Sequence, residues 1–557
     1  MKTKILTLAC NLLLIFTWVG CQEPEEFHPN IERNGITNLT ARFIDDDRDE
    51  NNFTSEIDYQ NKVITVVFPY NYPRLSDNVL DKSSLKKMRV FASLENNVYV
   101  TPKLYFMDLT KENTITVTDQ NGGKADYKVV AEIRKSNECA ITKFDLPNAN
   151  LSGLVKEADK VISLVSADEI GKQLATVSIS HGASISPDPT IVALDYDQEQ
   201  QFKVTAQDGV TSMVYTVKKE IPQKINNGLR ASSAQLLWVK KLVDIGLTQN
   251  HMTTGIAALN NYVVVNERGN GQAVYLNAKT GEIAGHIDIS EFAGSLTNMY
   301  ATADDNDNIL FCNFNNQKDG KFIIWRVKGV KGKPEKYLEY TTSAQMGRKL
   351  SVIGSLDGEA IITAPIHGTA GQFARWQVKA GKLVSTTPVM VQAQGLGNWG
   401  NNADVIYSNP ADPTSDYFAA YYAAPRHASM FDGKTNSIKA KGPEISSNWL
   451  QNAVDYTVFN KAHYFISNSV NLWTWGTDDC IYLFDTGGGN LDTQVLDFSS
   501  KGLDINGKYG GKALGKQNAN GTGDVALRVS NDGYYLYIYF MFTNGYVGCV
   551  RCDCLDL

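Results

Sequence analysis

The chain has 557 residues, with 53 Lys and Arg against 60 Asp and Glu for a formal charge of −7, and no basic cluster able to neutralise a row of phosphates, which argues against a nucleic-acid partner. At 43% hydrophobic and 20% charged residues the composition is globular, and about 150 residues per domain implies three or four units and not one core. Its 26 Tyr, 22 Phe and 44 Gly favour strands and turns.

At the amino terminus, Lys2 and Lys4 precede an apolar run from Ile5 to Val19, too short to span a membrane and right for the core of a secretory signal. The run ends at Gly20 and Cys21. This pattern resembles the bacterial lipoprotein box, which implies removal of residues 1–20 and acylation of Cys21. Acyl chains contribute about 0.8 kcal/mol per buried methylene, so two or three of them anchor a soluble body. The acidic "QEPEE" that follows resembles the signal sending Bacteroides lipoproteins to the cell surface. The expected location is therefore the outer membrane, with residues 21–30 as an acidic tether.

Two stretches then repeat one plan. "TITVTDQNGGKADYKVVAEI" (Thr114 to Ile133) and "QFKVTAQDGVTSMVYTVKKEI" (Gln201 to Ile221) each read as strand, Gly turn, strand. Asn121-Gly122 and Asp208-Gly209 suggest tight primed turns. Each hairpin closes a unit of immunoglobulin size, 31–135 and 136–222, both expected as Ig-like β-sandwiches. With "VSISHGASISPDPT" (Val177 to Thr190), the second resembles the Ig-like modules of Bacteroides-type surface lipoproteins.

Residues 223–233 read as a polar linker. From 234 to 557 six strand-turn-strand units recur, with hairpins such as "ALNNYVVVNE" (Ala258 to Glu267), "SLDGEAIITAP" (Ser355 to Pro365) and "VSNDGYYLYIYF" (Val529 to Phe540). Repeats of 45 to 70 residues match propeller blades. The last unit stops a strand short, and the segment around Trp238 belongs to no complete unit, so ring closure through that segment is expected. The fold class is thus all-β, two Ig-like sandwiches and then a β-propeller. Six blades are expected, with seven or eight as alternatives because 491–524 is long enough to hide strands.

Chemistry is sparse. "DDNDN" (Asp304 to Asn308) reads as a hairpin turn and not a calcium loop, and "DTGGGN" (Asp485 to Asn490) opens no helix that could cradle phosphate. "GCVRCDC" reads as a strand with Cys552 and Cys554 facing one way and Cys549 the other. No metal or cofactor is expected. "PIHGT" and "RHASM" bring His367, Arg426 and His427 to neighbouring blades, while Asp404, Asp455 and Asp524 each accompany an inner strand. The candidate ligand-binding residues are Trp399, Trp449, Trp473 and Trp475, whose rings sit among Asn, Gly, Ser and Asp and suit stacking on sugars.

The expected function is a non-catalytic, lipid-anchored binding protein for a polysaccharide or oligosaccharide, with an outer-membrane protein as a further partner. In plan it resembles the glycan-binding lipoproteins of Bacteroides polysaccharide uptake. The alternatives are a propeller lyase or glycosidase and a protein-interaction platform.

Overall fold

The computed structural model describes residues 35–46, 48–422, 427–443, 449–471 and 479–556. The protein is all-β, with short 3-10 turns as its helical content, and among the described residues no helix is long and apolar enough to cross a membrane. It divides into two units, Met1–Glu220 and Ile221–Leu557.

The first unit repeats one arrangement. Val63–Pro69 runs parallel to Lys124–Arg134, which pairs antiparallel with Asn113–Thr118. In the second half, Val161–Val165 runs parallel to Ser212–Glu220, which pairs antiparallel with Gln200–Thr205. A smaller sheet accompanies each, built on Ile36–Phe43 in the first half and on Ile141–Leu146 in the second. Alternation does the sorting: Ile64, Val66 and Phe68 are fully buried while the residues between them are not, so every second side chain enters the core.

The hairpin turns differ from the sequence expectation. Asn121 and Asp208 lack the positive φ that a primed two-residue turn demands, and only Gly122 (φ +83°) and Gly209 (φ +74°) are left-handed. The loops are longer, closed by Asp119 N–H to Gly123 O at 2.9 Å and Ala206 N–H to Thr211 O at 2.8 Å. The acids explain why. Asp119 Oδ1 accepts the amides of Asn121 and Gly123, and Asp208 Oδ1 those of Val210 and Thr211, each fixing a wider turn than a primed pair permits.

Among the described residues the second unit holds six antiparallel sheets in chain order. Their first strands are Thr253–Ala258, Tyr300–Ala303, Ser351–Gly354, Asp404–Tyr407, Val454–Phe459 and Gly523–Val529. Each packs against the first strand of the next sheet, and Gly523–Val529 packs against Thr253–Ala258. Most central strands are buried along their whole length because a neighbouring sheet covers each face. Aromatic pairs fill the gaps. Phe322 of the second sheet stacks on Trp376 of the third at 5.7 Å, and Phe418 of the fourth on Phe465 of the fifth at 4.6 Å.

The sixth sheet orders its strands as Gly523–Val529, Tyr535–Phe542, Tyr546–Asp553 and Arg230–Lys241. The segment around Trp238 is therefore its outer strand. Arg230 grips Asp553 through two hydrogen bonds of 2.9 and 2.8 Å, and the strand starts within the stretch read as linker, so the chain joins the sheet earlier than its polarity suggests. Residues 495–522 carry no strand, only the 3-10 turn Gly511–Leu514. Cys552 and Cys554 enter the core between the fifth and sixth sheets, whereas Cys549, also buried, faces the opposite way.

Candidate functional site

The inner edge of each first strand carries amides that no strand of its own sheet can satisfy. Carboxylates from the preceding sheet satisfy amides of this kind in three first strands, and one in the turn that follows Ser351–Gly354. Asp524 Oδ2 accepts the Ile256 amide at 2.7 Å, Asp304 Oδ2 that of Leu356 at 2.7 Å, Asp404 Oδ2 that of Val454 at 3.2 Å, and Asp455 Oδ2 that of Leu527 at 2.7 Å.

Burial costs these acids their charge to different degrees. Desolvation raises Asp404 to about 6, with the Lys349 ammonium pulling it back, and raises Asp455 to about 8, where Asp305 and Asp404 add repulsion. Asp524 is also raised by burial, and it accepts from Lys349 Nζ at 2.9 Å and Tyr300 OH at 2.7 Å. The cavity between these strands amounts to about 30 Å³, room for a water or two and not for a sugar ring. Asp404, Asp455 and Asp524 thus lie on the inner strands as the sequence suggests, but they hold backbone and do not reach a ligand.

In an antiparallel sheet the start of the first strand and the end of the second lie at the same end. Arg348 precedes Ser351–Gly354, His367 follows Ala360–Pro365 and Arg268 follows Tyr262–Glu267, so all three come to that end. Arg348 Nε donates to His367 Nδ1 at 3.3 Å, and its guanidinium lies over the Phe314 ring at 4.6 Å. Phe314, Met346, Arg348, Ile366, His367 and Asn401 line a shallow surface recess there, which encloses no volume that would hold a water. Arg268 Nε donates to Ser295 O at 2.8 Å.

No carboxylate within ion-pair reach of Arg268 or Arg348 is present among the described residues. Burial and the charge of Arg348 pull the Arg268 guanidinium below its usual range, and burial does the same to Arg348. Burial, then the Arg348 charge, holds His367 below the ordinary histidine value, so it is neutral. Because its Nδ1 accepts a proton donor, Nε2 carries the ring proton. Tyr422 stands nearby with its phenol committed, receiving Asn402 Nδ2 at 2.6 Å and within reach of the Asn520 and Gly521 carbonyls at 2.8 and 2.9 Å.

The tryptophan candidates separate. Trp399 is 1% exposed, with its Nε1 donating to Ile366 O at 2.9 Å and its backbone amide to Thr369 O at 3.0 Å. That corrects its assignment as a ligand platform: the flanking glycines let the ring fold inward, where it braces the 366–369 loop that carries His367. Trp449 lies in the strand Trp449–Leu450, and Trp473, Trp475 and Cys21 lie outside the described residues. His367 and His427 fall on the neighbouring third and fourth sheets, as the sequence suggests, but they do not share partners. His427 Nδ1 bonds the Gly442 carbonyl at 2.9 Å within its own sheet, Arg426 lies outside the described residues, and the arginine that meets His367 is Arg348.

Arg268 and Arg348 escaped sequence reasoning because "ERGN" and "GRKL" carry no motif. What could have found them is position: Arg268 directly follows one strand of a hairpin and Arg348 lies three residues before a strand of another, at the same end.

Residues 236–553, more than half of the chain, match the family described as Domain of unknown function (DUF8500). The chain belongs to this family. Residues 15–131 match Domain of unknown function (DUF5018) and 141–219 match Domain of unknown function (DUF8499), so the DUF8500 portion corresponds to the second unit. No curated protein matches the chain. Among solved structures it is similar to a DUF4623 family protein from Bacteroides eggerthii, 16% identical over 74% of this chain and 98% of that one, with a TM-score of 0.43. It is also similar to the PQQ-bound aldose sugar dehydrogenase from Streptomyces coelicolor, 10% identical over 58% of this chain and 100% of that one, with a TM-score of 0.35.

Proposed function

We propose that this DUF8500 protein is a lipid-anchored protein of the outer-membrane surface that binds glycan without altering it. In this reading the second unit is a six-bladed β-propeller and the two halves of the first are Ig-like sandwiches that act as spacers. The cyclic packing of the six first strands and the outer position of Arg230–Lys241 support the propeller. The parallel-plus-hairpin plan shared by both halves supports the sandwiches. The sequence through Cys21 supports the anchor.

One observation carries the binding reading. Hydrogen-bond donors of the first and third sheets, Arg268 from one and Arg348 and His367 from the other, come to one end of the unit, while the nearest inner-strand carboxylates are consumed by backbone. A glycosidase needs two carboxyl groups flanking the bond it cleaves, and none of these is placed for that. A lyase reading draws on the same Arg348, His367 and Tyr422. Against it, the His367 nitrogen free to face a ligand is the protonated one, and the Tyr422 phenol is pushed up by burial, so neither is poised as a base.

The test is a glycan-array screen of the full-length protein in detergent, with mass spectrometry of every sugar retained. Retention of intact sugar is the expected result. Shortened chains or unsaturated ends would replace it with the lyase reading, and capture of a protein in place of sugar would favour an interaction platform.

A further inference from the structure

We propose that the cleft between the two halves of the first unit is a binding site in its own right, built for the hydroxyl groups of a neutral oligosaccharide, so that this unit holds ligand as well as acting as a spacer.

The cleft has a volume of about 580 Å³, within the range of small-molecule sites, and both halves contribute to its walls. Residues that line it also tie the halves together. Gln207 Nε2 donates to Asn71 Oδ1 at 2.6 Å, and Gln207 Oε1 accepts the Ser136 amide at 3.1 Å. His181 Nε2 donates to Ser76 O at 3.0 Å, which anchors the loop that carries Arg74 and Leu75. The walls are thus set before a ligand arrives, which lowers the ordering cost of binding.

One wall is the outer face of the sheet that contains Val63–Pro69 and Lys124–Arg134, and it offers acceptors. Arg134 donates to both Glu56 oxygens at 2.7 and 3.0 Å and to both Glu132 oxygens at 2.9 and 2.8 Å. Those bonds hold both carboxyls below their usual range, so Glu56 faces the cleft as an ionised acceptor with lone pairs to spare. Donors come from the Tyr70 phenol, the Arg74 guanidinium and the Lys135 ammonium, which lies over the Tyr70 ring at 5.2 Å. Among the described residues none of these three groups has a hydrogen-bond partner. A carboxylate ligand only accepts and an ammonium only donates, so each would leave half of this set unanswered. A sugar hydroxyl does both. The charges balance as well, with Arg74, Arg134 and Lys135 against Glu56, Glu132 and Glu138, which suits a neutral ligand. Leu75 completes the cleft: it is 78% exposed at a φ of +66°, a left-handed conformation that a bulky residue rarely adopts. The loop therefore holds an apolar group in solvent against both preferences, and with Val67 and Pro69 it offers contact to the C–H face of a sugar ring.

The experiment is calorimetry on the full-length protein in detergent with malto-, cello-, xylo- and manno-oligosaccharides. At least one series is expected to bind. Tyr70→Phe, which removes only a hydroxyl, should weaken that series about three- to tenfold, and Arg74→Ala about tenfold or more. Thr54→Trp places bulk in the cleft from an exposed position and should abolish binding. Should Thr54→Trp fail to fold, Tyr70→Phe and Arg74→Ala decide the case, because neither strands a partner. If a neutral oligosaccharide binds all three variants as it binds the parent, the sugar sits elsewhere, and this site falls while the proposed function stands. If no neutral oligosaccharide binds the parent, this site also falls, and the glycan array alone then decides the proposed function.

Discussion

Trp238 donates its indole N–H to Ala278 O at 2.9 Å, joining the outer strand of the sixth sheet to the first. The ring is 7% exposed and lies beside Gly281, where an added Cβ would meet its ring carbons at about 2.5 Å. Trp238→Ala should therefore cost about 3–5 kcal/mol. Deleting 234–246, which removes most of Arg230–Lys241, should leave the second unit unfolded because Tyr546–Asp553 becomes an open edge. Urea unfolding of both variants checks this, and a deletion that melts like the parent would show that the strand does not close the unit.

The inner carboxyls give stability a direction in pH. An unfolded Asp titrates near 3.9, whereas Asp404 is raised to about 6 and Asp455 to about 8 by burial. Between the unfolded and folded values the folded state binds more protons, so stability from these groups is complete below the unfolded value and declines as pH rises. The urea midpoint should fall between roughly pH 5 and pH 8, and Asp455→Asn should flatten the upper part of that fall. An unaltered slope in the variant would assign the titration elsewhere.

Two kinds of arginine should respond in opposite ways. Arg528 is 8% exposed at its side chain, and its guanidinium holds Asp304 O and Asp305 O at 2.9 Å and Asp307 Oδ1 at 2.8 Å. Arg528→Ala should cost about 3–5 kcal/mol by stranding those partners. Arg268→Gln and Arg348→Gln remove like charges with no carboxylate partner, so their melting temperatures should stay level or rise. A large loss in either would mean that these arginines hold the fold.

Gly347 sets the entry to Arg348. Its φ is +102°, and a Cβ there would lie 1.9 Å from Asn313 O, a backbone atom that cannot step aside. Gly347→Ala should lower both stability, by about 1–3 kcal/mol, and glycan affinity, because the clash displaces the neighbouring arginine. Calorimetry alongside a melt separates the two effects. Affinity equal to the parent's would disconnect this backbone from the recess.

Cys21 carries the anchoring proposal. Palmitate labelling should be lost in Cys21→Ala, with the protein released from the membrane fraction. Retention of the variant on membranes would require another means of attachment.

Strands were the most legible part of the sequence. Alternation in Val63–Pro69 and the repeated hairpins of the second unit follow from side-chain period and turn residues, which are local. The outer place of the Trp238 strand was legible too, because a missing strand at one terminus and a spare one at the other can be matched on paper. The recess was not. Trp399 looks like a loop aromatic among glycines, and only the packing of the 366–369 loop turns it inward. Arg348 meets His367 through the path of the third sheet, and no spacing rule records which two strand ends coincide.

The carboxylates of Asp304, Asp404, Asp455 and Asp524 have one more effect. Each selects a single amide on the next sheet, so sliding that sheet along its neighbour by one residue would strand a buried N–H and a buried acid at once. The stagger between these sheets is therefore discrete. Greasy surfaces alone would tolerate slippage, whereas these side chains act as keys that admit one alignment and give the strand ends at the recess a fixed height.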